Sequence, residues 1–288
     1  MGLGIGTISR IVLLKNDYRN YPGYPHGYVT HISLGFIAAA LGAVAVPALV
    51  EKEYTAVTFL ALAAQQFREI RNMERESLKK IENISLVPRG EGYIEGIARV
   101  FESRNYLVMA TALGTSIATY LAGWIYGLIA GSIIIAISYS FFMKGKVVGD
   151  IAEVVPVKPY FKNTLLMVED IVIMNVGLPE SREKIEKEGI AVLIKPKDDN
   201  ARATLHDPSQ RQAIIHTGAT LLGTKAEIGE QEWTPLARKN IDTGEIGFFL
   251  LANEPDKMAL VEAVNRTPVL ESAKRNILST KVSRYAAD

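Results

Sequence analysis

The sequence predicts a polytopic α-helical membrane domain followed by a soluble mixed α/β (α+β) domain. Two observations lead to this fold class. Residues 106–143 contain no Asp, Glu, Lys or Arg, and at about 1.5 Å of helical rise per residue they are long enough for two passes through a hydrocarbon core of about 30 Å. After residue 143 the composition becomes that of an ordinary soluble protein. We therefore expect a transmembrane domain in residues 1–143 and a cytoplasmic α/β domain in residues 144–288.

About four full spans are expected after a short N-terminal apolar segment. That segment, residues 1–14, is interrupted by Arg10 and lacks a small-x-small cleavage site, which argues against a cleaved secretory signal. The second span is short and needs Arg68 to extend towards the interface. In chain order the spans are residues 30–50, residues 54–70, and the two halves of residues 106–143, divided by a turn at Gly123.

The distribution of basic residues predicts the orientation. The connection 68–105 is rich in Lys and Arg, whereas residues 51–53 read Glu-Lys-Glu. The positive-inside rule places this basic connection, which we expect to be helical, in the cytoplasm. Alternation then places the C-terminal domain in the cytoplasm as well. The prediction is a multi-pass protein of the cell membrane, with the lipid bilayer as one partner.

Gly127 and Gly131 form a small-xxx-small pair in the last predicted span. Such pairs allow two helices to approach each other closely. Packing within the chain is the simpler interpretation, and formation of a homo-oligomer is the alternative.

Composition excludes several classes of function. The formal net charge is only +1, and no basic stretch is interleaved with aromatic residues, so we expect no nucleic-acid partner. The chain contains no Cys, which excludes disulfides, thiolate zinc sites and cysteine nucleophiles. Four His residues without an HExxH pattern do not support a zinc enzyme. We therefore expect neither a metal nor a cofactor.

A family signature follows the helix break that Pro88-Arg89-Gly90 predicts. The next helix is expected to begin at Tyr93, with apolar residues along one face up to Phe101. Its first six residues resemble the signature of the YIEGIA family: Tyr93, Ile94, Glu95, Gly96, Ile97 and Ala98. Residues 18–22, 24–28 and 61–75 resemble further blocks of that family. The resemblance implies a polytopic membrane protein of endospore-forming Firmicutes that is linked to sporulation, and it points to no particular reaction.

The C-terminal domain is predicted to contain both strands and helices. Runs of β-branched and apolar residues predict strands, and apolar residues at helical spacing predict helices. Residues 198–200, Asp-Asp-Asn, are expected to form a solvated loop. The expected strands are residues 147–155, 164–176 and 190–195 and a hairpin of 235–241 with 246–252; the expected helices are residues 180–188, 208–222 and 256–265.

Asp242-Thr243-Gly244 matches the triplet of aspartic peptidases, in which two carboxylates share a proton and activate water. The triplet also lies where the hairpin should turn, and turns favour Asp and Gly. A peptidase needs a second carboxylate, for which Asp150 and Asp170 are the candidates. Glu169 cannot form the pair with Asp170, because adjacent residues of a strand point to opposite faces.

Three further polar residues have structural explanations beside functional ones. Glu95 is a candidate acid or base or a buried polar contact, but Arg99 is well placed to pair with it four residues later. Asp207 is predicted to cap the following helix, with Gln210 reaching back to the cap. His206 is a candidate for a site formed with another segment.

The sequence contains no closed catalytic constellation. Ser209 and His216 do not form a serine-hydrolase pair, because seven residues of helix separate them by about 10 Å. We expect a sporulation-associated integral membrane protein that acts as a regulator or scaffold, binding a protein partner through its cytoplasmic domain. The alternative is a membrane-tethered aspartic-type peptidase with the catalytic candidates Asp242, Asp150, Asp170 and His206.

Overall fold

The computed structural model describes residues 1–17, 25–82, 85–142, 145–227, 230–231 and 233–274. The sequence block at residues 18–22 lies outside these residues. The chain divides into two compact units. The first, called the helical unit, comprises Met1–Leu78 and Ile97–Lys144. The second, called the α+β unit, comprises Lys79–Gly96 and Gly145–Asp288.

The N-terminal half of the chain is largely helical where it is described. Gly123, with φ of +94°, separates the last two of its helices, because a positive φ is readily adopted by Gly alone. The fifth helix begins in the α+β unit, and its larger part belongs to the helical unit. The helices are α1 (Gly2–Asp17), α2 (Pro25–Val50), α3 (Tyr54–Phe67), α4 (Ile70–Glu82), α5 (Glu91–Ala122) and α6 (Trp124–Phe142).

Small residues allow close packing in the helical unit. Ala112 of α5 is fully buried in its core. A Cβ atom on Gly127 would lie 3.0 Å from the Cβ of Thr119, and one on Gly131 would lie 2.6 Å from the Cγ2 of Ile5. These distances are below ordinary van der Waals contact. The small-xxx-small pair thus lies against α5 and α1 of the same chain.

The expectation of four full spans is wrong. Among the described residues one helix, Gly27–Val50 within α2, is long and apolar enough to cross a membrane. The charge-free run is divided at Gly123, which leaves Trp124–Ser140 as a shorter apolar stretch. Helix α3 has 14 residues, whereas a span needs about 20. Signal sequences and buried core helices meet the same criteria of length and composition. A single such helix suggests membrane association and does not support a multi-pass topology.

The α+β unit confirms that a mixed α/β part exists. Its strands are β1 (Ala152–Val157), β2 (Tyr160–Lys162), β3 (Leu165–Val168), β4 (Ile171–Asn175), β5 (Ile190–Pro196), β6 (Ala226–Glu227), β7 (Glu230–Gln231), β8 (Leu236–Lys239) and β9 (Ile246–Leu250). Its further helices are α7 (Val148–Ile151), α8 (Pro179–Glu188), α9 (Asp199–Leu205), α10 (Pro208–Leu222) and α11 (Lys257–Asn265). One antiparallel sheet has the order β1-β5-β9-β8, and another has the order β2-β3-β4.

The four-stranded sheet separates two apolar cores. Because successive side chains of a strand point to opposite faces, β5 and β9 contribute to both cores. Val192 and Phe248 pack in the core that contains residues of α10 and α11. Leu193 and Phe249 pack in the core that contains residues of β3 and β4. The unit is therefore layered, with helices on one face of the sheet and the smaller sheet on the other.

The predicted strand 164–176 is wrong. The chain turns back between β3 and β4, and Glu169 and Asp170 form the turn rather than strand positions. Glu169 has φ of +49°, a value that is uncommon for residues other than Gly, and no Gly or Pro marks the turn in the sequence. The argument that these two side chains point to opposite faces of a strand therefore fails.

Two short helices replace expected extended or loop structure. Residues 147–155 begin with α7, where the carboxylate of Asp150 accepts a hydrogen bond of 2.9 Å from the backbone N–H of Val147. The expected loop at 198–200 is the start of α9, because Asp198 accepts a hydrogen bond of 2.7 Å from the N–H of Ala201. In both places an Asp side chain caps a helix that is too short to show a period in the sequence.

Candidate functional site

The segment Lys79–Gly96, which contains the first four residues of the signature, is built into the α+β unit. Val87 is 8% exposed and belongs to the core beneath α10. Its carbonyl oxygen accepts a hydrogen bond of 2.7 Å from Nδ1 of His216, and the carbonyl of Pro88 accepts one of 2.6 Å from Gln212. Because Nδ1 donates, Nε2 of His216 accepts from the hydroxyl of Thr220 at 3.4 Å. Three side chains of α10 thus hold or orient this segment.

Tyr93 lies at the centre of this contact. Its ring meets the ring of His216 edge-on, with centroids 6.3 Å apart, and the Arg89 guanidinium lies 6.0 Å from its centroid. The pKa of Tyr93 is raised to about 12, chiefly by burial; the charge of Arg89 opposes this shift, and the charge of Glu82 adds to it. Burial likewise lowers the pKa of His216, so this imidazole is neutral at physiological pH.

A buried ion pair closes the same segment. Arg89 donates through its guanidinium to Glu82, and its backbone N–H donates to the second carboxylate oxygen of Glu82 at 2.5 Å. Glu82 is 8% exposed, so both charges are largely withdrawn from water. The Glu82–Arg89 ion pair and the hydrogen bond from His216 to Val87 thus hold the segment that leads into α5.

The remaining signature residues divide between packing and surface. Ile94, Ile97 and Ala98 are buried, as the predicted apolar face requires, whereas Glu95 is half-buried. A Cβ atom on Gly96 would lie 3.9 Å from the nearest other atom, the hydroxyl of Ser272. A methyl group would therefore fit at Gly96.

The Asp242-Thr243-Gly244 triplet forms the exposed turn between β8 and β9. Asn240 shapes the turn, since its side-chain oxygen accepts from the N–H of Asp242 at 2.9 Å. Gly244 has φ of +79°. Its carbonyl oxygen accepts a hydrogen bond of 3.1 Å from Nε2 of His206. The structure thus brings two of the sequence candidates, His206 and the Asp242 turn, together.

The other candidate carboxylates lie in different connections. Asp150 caps α7, directly before β1, and Asp170 lies in the turn between β3 and β4. Strands β1 and β8 are opposite edges of the four-stranded sheet. Neighbouring strands are about 4.8 Å apart, so Asp150 and Asp242 are on the order of 10 Å or more apart, too far to share a proton.

Positive side chains surround the Asp242 turn. Arg202 of α9 donates to the carbonyl of Ile241 at 2.5 Å, and Arg211 of α10 donates to that of Ala237 at 3.4 Å. Burial lowers the pKa of His206; its bond to Gly244 opposes the shift, and the nearby charges of Lys239, Arg202 and Arg211 lower it further. Burial and the charge of Arg238 lower the pKa of Arg211, against the effect of Asp207. We call this set the basic edge: Arg202, His206, Arg211, Arg238 and Lys239.

Helix α10 begins as predicted in one respect and differs in another. Asp207 caps it, accepting a hydrogen bond of 2.9 Å from the N–H of Ser209. Gln210 does not reach back to the cap. It is buried and donates to the carbonyl of Pro268 at 3.0 Å, while its oxygen accepts from the N–H of Leu270 at 2.8 Å. Within the described ranges, no group of three or more His, Asp or Glu is placed to hold a metal ion.

The sequence matches the family described as YIEGIA protein over residues 1–280. The chain belongs to the YIEGIA family. It is similar to YphB of Bacillus subtilis (strain 168), described as an uncharacterized protein, with 43% identity over 274 residues that cover 95% of this chain and 92% of that protein. No solved structure matches the chain.

The YIEGIA signature was visible in the sequence, but its principal contact was not. His216 and Val87 are 129 residues apart in the chain, and neither carries a motif that links it to the other. The sequence did contain one indication of this contact, the predicted helix break at Pro88-Arg89-Gly90 with the apolar residue Val87 directly before it. The basic edge was also missed, because its residues are distributed over α9, α10 and β8 and form no run in the sequence.

Proposed function

We propose that this YIEGIA protein is a membrane-associated regulator or scaffold that acts on a protein partner through its α+β unit during sporulation. The observation that carries the membrane part is the apolar surface of the helical unit. Ile125, Ile129, Ile133 and Ile137 recur at every fourth residue of α6 and are each 50–53% exposed. Fully burying a side chain of this size contributes about 1.5–3 kcal/mol, so such a row favours a lipid environment.

Helix α2 supports the same proposal. Only 33% of its apolar window is buried within the chain, whereas the core helix of a soluble protein is mostly covered. Phe36 and Val44 are each 49% exposed, and Leu49 is 62% exposed. A bilayer is the medium that accepts these side chains at the lowest free-energy cost.

The proposed location of the α+β unit is cytoplasmic. After α2 the chain carries Arg68, Arg71, Arg75, Lys79 and Lys80 within a short interval. Basic residues that flank a membrane segment are retained on the cytoplasmic side. The proposed role during sporulation rests on the family to which the chain belongs.

Membrane association is tested by flotation of the purified full-length protein with lipid vesicles. The variant Ile125→Lys/Ile129→Lys should reduce the floated fraction severalfold. Leu178→Lys, at a 69% exposed position of the α+β unit, is the matched control and should float like the wild type. If wild type and the α6 variant remain equally in the soluble fraction, the membrane part of the proposal is refuted.

The partner is tested by site-specific photo-crosslinking in sporulating cells. A photoreactive residue placed at Leu178, Ile241 or Met258, which are 66–72% exposed, samples the surface before α8, in the turn between β8 and β9, or at the start of α11. A crosslinked product of one defined mass, formed at one position and not at the others, identifies a direct partner. Absence of a specific product at all three positions, together with normal spore yield in a deletion strain, would contradict the proposal.

The second candidate is a membrane-tethered aspartic-type peptidase. It is favoured by the exposed position of Asp242 in a turn held by His206 and Arg202. Asp242→Asn should then abolish complementation of a deletion strain at normal protein abundance. Glu245→Gln, in the same turn, is the control. Full complementation by Asp242→Asn would exclude the peptidase.

A further inference from the structure

The basic edge collects cations from three elements around one stretch of chain. Arg202 of α9, His206 after α9 and Arg211 of α10 each donate to a backbone carbonyl between Ala237 and Gly244. That stretch itself carries Arg238 and Lys239, which are exposed. The chain therefore places four permanent positive charges and one imidazole around the end of β8.

Nearby carboxylates are few and partly engaged. Asp207 uses one oxygen to accept the N–H of Ser209 at the cap of α10. Glu245 accepts a hydrogen bond of 3.2 Å from the hydroxyl of Thr243. Asp242 lies at the exposed tip of the turn. The acidic groups that face the basic edge thus belong to the cap and the turn.

Arg211 has the least complete set of partners in this arrangement. Its Nε is buried and has no hydrogen-bond partner among the described residues, and its bond to Ala237 is long at 3.4 Å. The charge of Arg238 acts on it against that of Asp207. Because a buried N–H donor is more stable with an acceptor, an anion beside Arg211 would stabilise it.

Gly244 shows that the position of Arg202 is built into the fold. A Cβ atom on Gly244 would lie 2.8–2.9 Å from three atoms of the Arg202 side chain. Gly at this position therefore provides both the positive φ of the turn and the space in which the Arg202 side chain packs. Arg202 is ordered against the turn by packing as well as by its bond to Ile241.

We propose that the basic edge binds the phosphate group of a phosphorylated compound. Guanidinium groups match tetrahedral oxyanions because their N–H donors are planar, paired and permanently charged. Two arginines on consecutive helices with Lys239 of β8 suit a dianion, because Lys239 is on the same face of β8 as Ala237, which packs in the helix-side core. Arg238 is on the opposite face and acts on Arg211 through its charge. The phosphate belongs either to a soluble phosphorylated molecule or to a lipid headgroup. This proposal does not depend on the membrane and partner roles proposed above.

His206 gives the site a dependence on pH. Its Nε2–H donates to Gly244, which leaves Nδ1 to take up a proton. The groups that face it are Lys239 from β8, Arg202 from α9 and Arg211 from α10, all positive. A bound dianion would offset their repulsion and favour protonation of His206. Binding should therefore be tighter at lower pH.

The test is isothermal titration of the full-length protein in detergent micelles with inorganic phosphate and with sulfate, at fixed ionic strength set by chloride. Arg211→Gln and Lys239→Gln should each weaken binding about tenfold or more, whereas Lys257→Gln, an exposed Lys on α11, should leave it unchanged. Lys239 is exposed, so its variant folds even if Arg211→Gln does not. Sulfate stays a dianion between about pH 8 and pH 6, and its affinity should rise over that range in the wild type and stay flat in His206→Gln.

Vesicles distinguish the two sources of phosphate. If a lipid headgroup is the ligand, vesicles of phosphatidylcholine with phosphatidic acid should bind more of the wild type than of Lys239→Gln, and inorganic phosphate should reduce this difference because it occupies the same site. If a soluble compound is the ligand, phosphate binds in solution and the two proteins float equally with these vesicles. Vesicles of phosphatidylcholine alone measure binding through the apolar helices, which should be the same for both proteins. The proposal is overturned if none of phosphate, sulfate and phosphatidic acid binds, or if binding survives both Arg211→Gln and Lys239→Gln.

Discussion

Replacement of Gly92 by Ala should destabilise the α+β unit through a single contact. Gly92 lies in the first turn of α5, where its Cβ atom would be 2.5 Å from the Cβ of Ser209 in α10. Ordinary contacts begin at about 3.4 Å, so the two helix ends must separate by about 1 Å, and rotation of the Ser209 hydroxyl cannot prevent this. Overpacking of this kind costs about 1–3 kcal/mol, and the higher helix propensity of Ala offsets up to about 1 kcal/mol.

We therefore expect a net loss of about 1–2 kcal/mol for Gly92→Ala, or a fall of about 2–4 °C in Tm for each kcal/mol. Gly96→Ala, one turn later in the same helix, is the matched control. The open space at Gly96 predicts unchanged or slightly higher stability, although Gly96 belongs to the family signature. Ser209→Gly should restore Gly92→Ala, because it removes the opposing Cβ and keeps the N–H that bonds to Asp207.

The assay is thermal unfolding of the purified full-length protein, with hydrogen exchange of α10 amides to localise the effect. Equal stability of Gly92→Ala and Gly96→Ala would refute the packing of α5 on α10. So would a Gly92→Ala/Ser209→Gly protein that remains as unstable as Gly92→Ala, since the loss would then arise elsewhere.

Three further predictions concern charge and protonation in the same segment. Glu82→Gln breaks the ion pair with Arg89 and should lower the free energy of unfolding by about 3 kcal/mol. Lys79→Gln, which breaks the more exposed pair with Glu91, should lower it by less than about 1 kcal/mol. Equal losses in denaturant titrations of the two variants would contradict this. The unfolded chain loses the proton of Tyr93 near pH 10 and the folded state near about pH 12, so stability should fall as pH rises through that window; Tyr93→Phe should flatten this alkaline slope, and ultraviolet difference spectra report the ionisation. Burial lowers the folded-state pKa of His216 from 6.5, so the stability that comes from keeping this imidazole neutral is complete above pH 6.5 and is lost as pH falls towards the folded-state pKa. The Tm of His216→Gln should therefore change less with pH on the acid side than that of the wild type, and equally steep profiles would refute this.

The sequence predicted the elements of the α+β unit well where capping or turn residues marked their ends. Asp207 followed by Pro208 marked the start of α10, and the Asp242 triplet marked the turn between β8 and β9. The strand 164–176 failed because only one of its two turn residues, Asp170, favours a turn, and a single Asp within a long apolar run was not enough to divide it. The turn requires a positive φ at Glu169, a cost that tertiary packing of β3 and β4 on β9 offsets.

The membrane prediction failed for a different reason. Hydropathy along the chain measures how long an apolar run is, not how it is divided among helices. Gly123 divides the charge-free run and leaves Trp124–Ser140 as the apolar stretch after it, and α3 ends at Phe67, so both apolar stretches are shorter than the about 20 residues of a span. The apolar side chains themselves are on the surface of the helical unit, as the row from Ile125 to Ile137 shows.

The two functional candidates differ in how they use carboxylates. A peptidase of the aspartic type requires two carboxylates within a few ångströms of each other, because the two must share a single proton. Asp150 is occupied as the cap of α7 and lies across the width of the sheet from Asp242. Basic side chains of α9 and β8 moreover lie around the turn that carries Asp242. The same cations suit a bound phosphate, which is why the geometry around the turn favours ligand binding by a regulator over hydrolysis of a peptide.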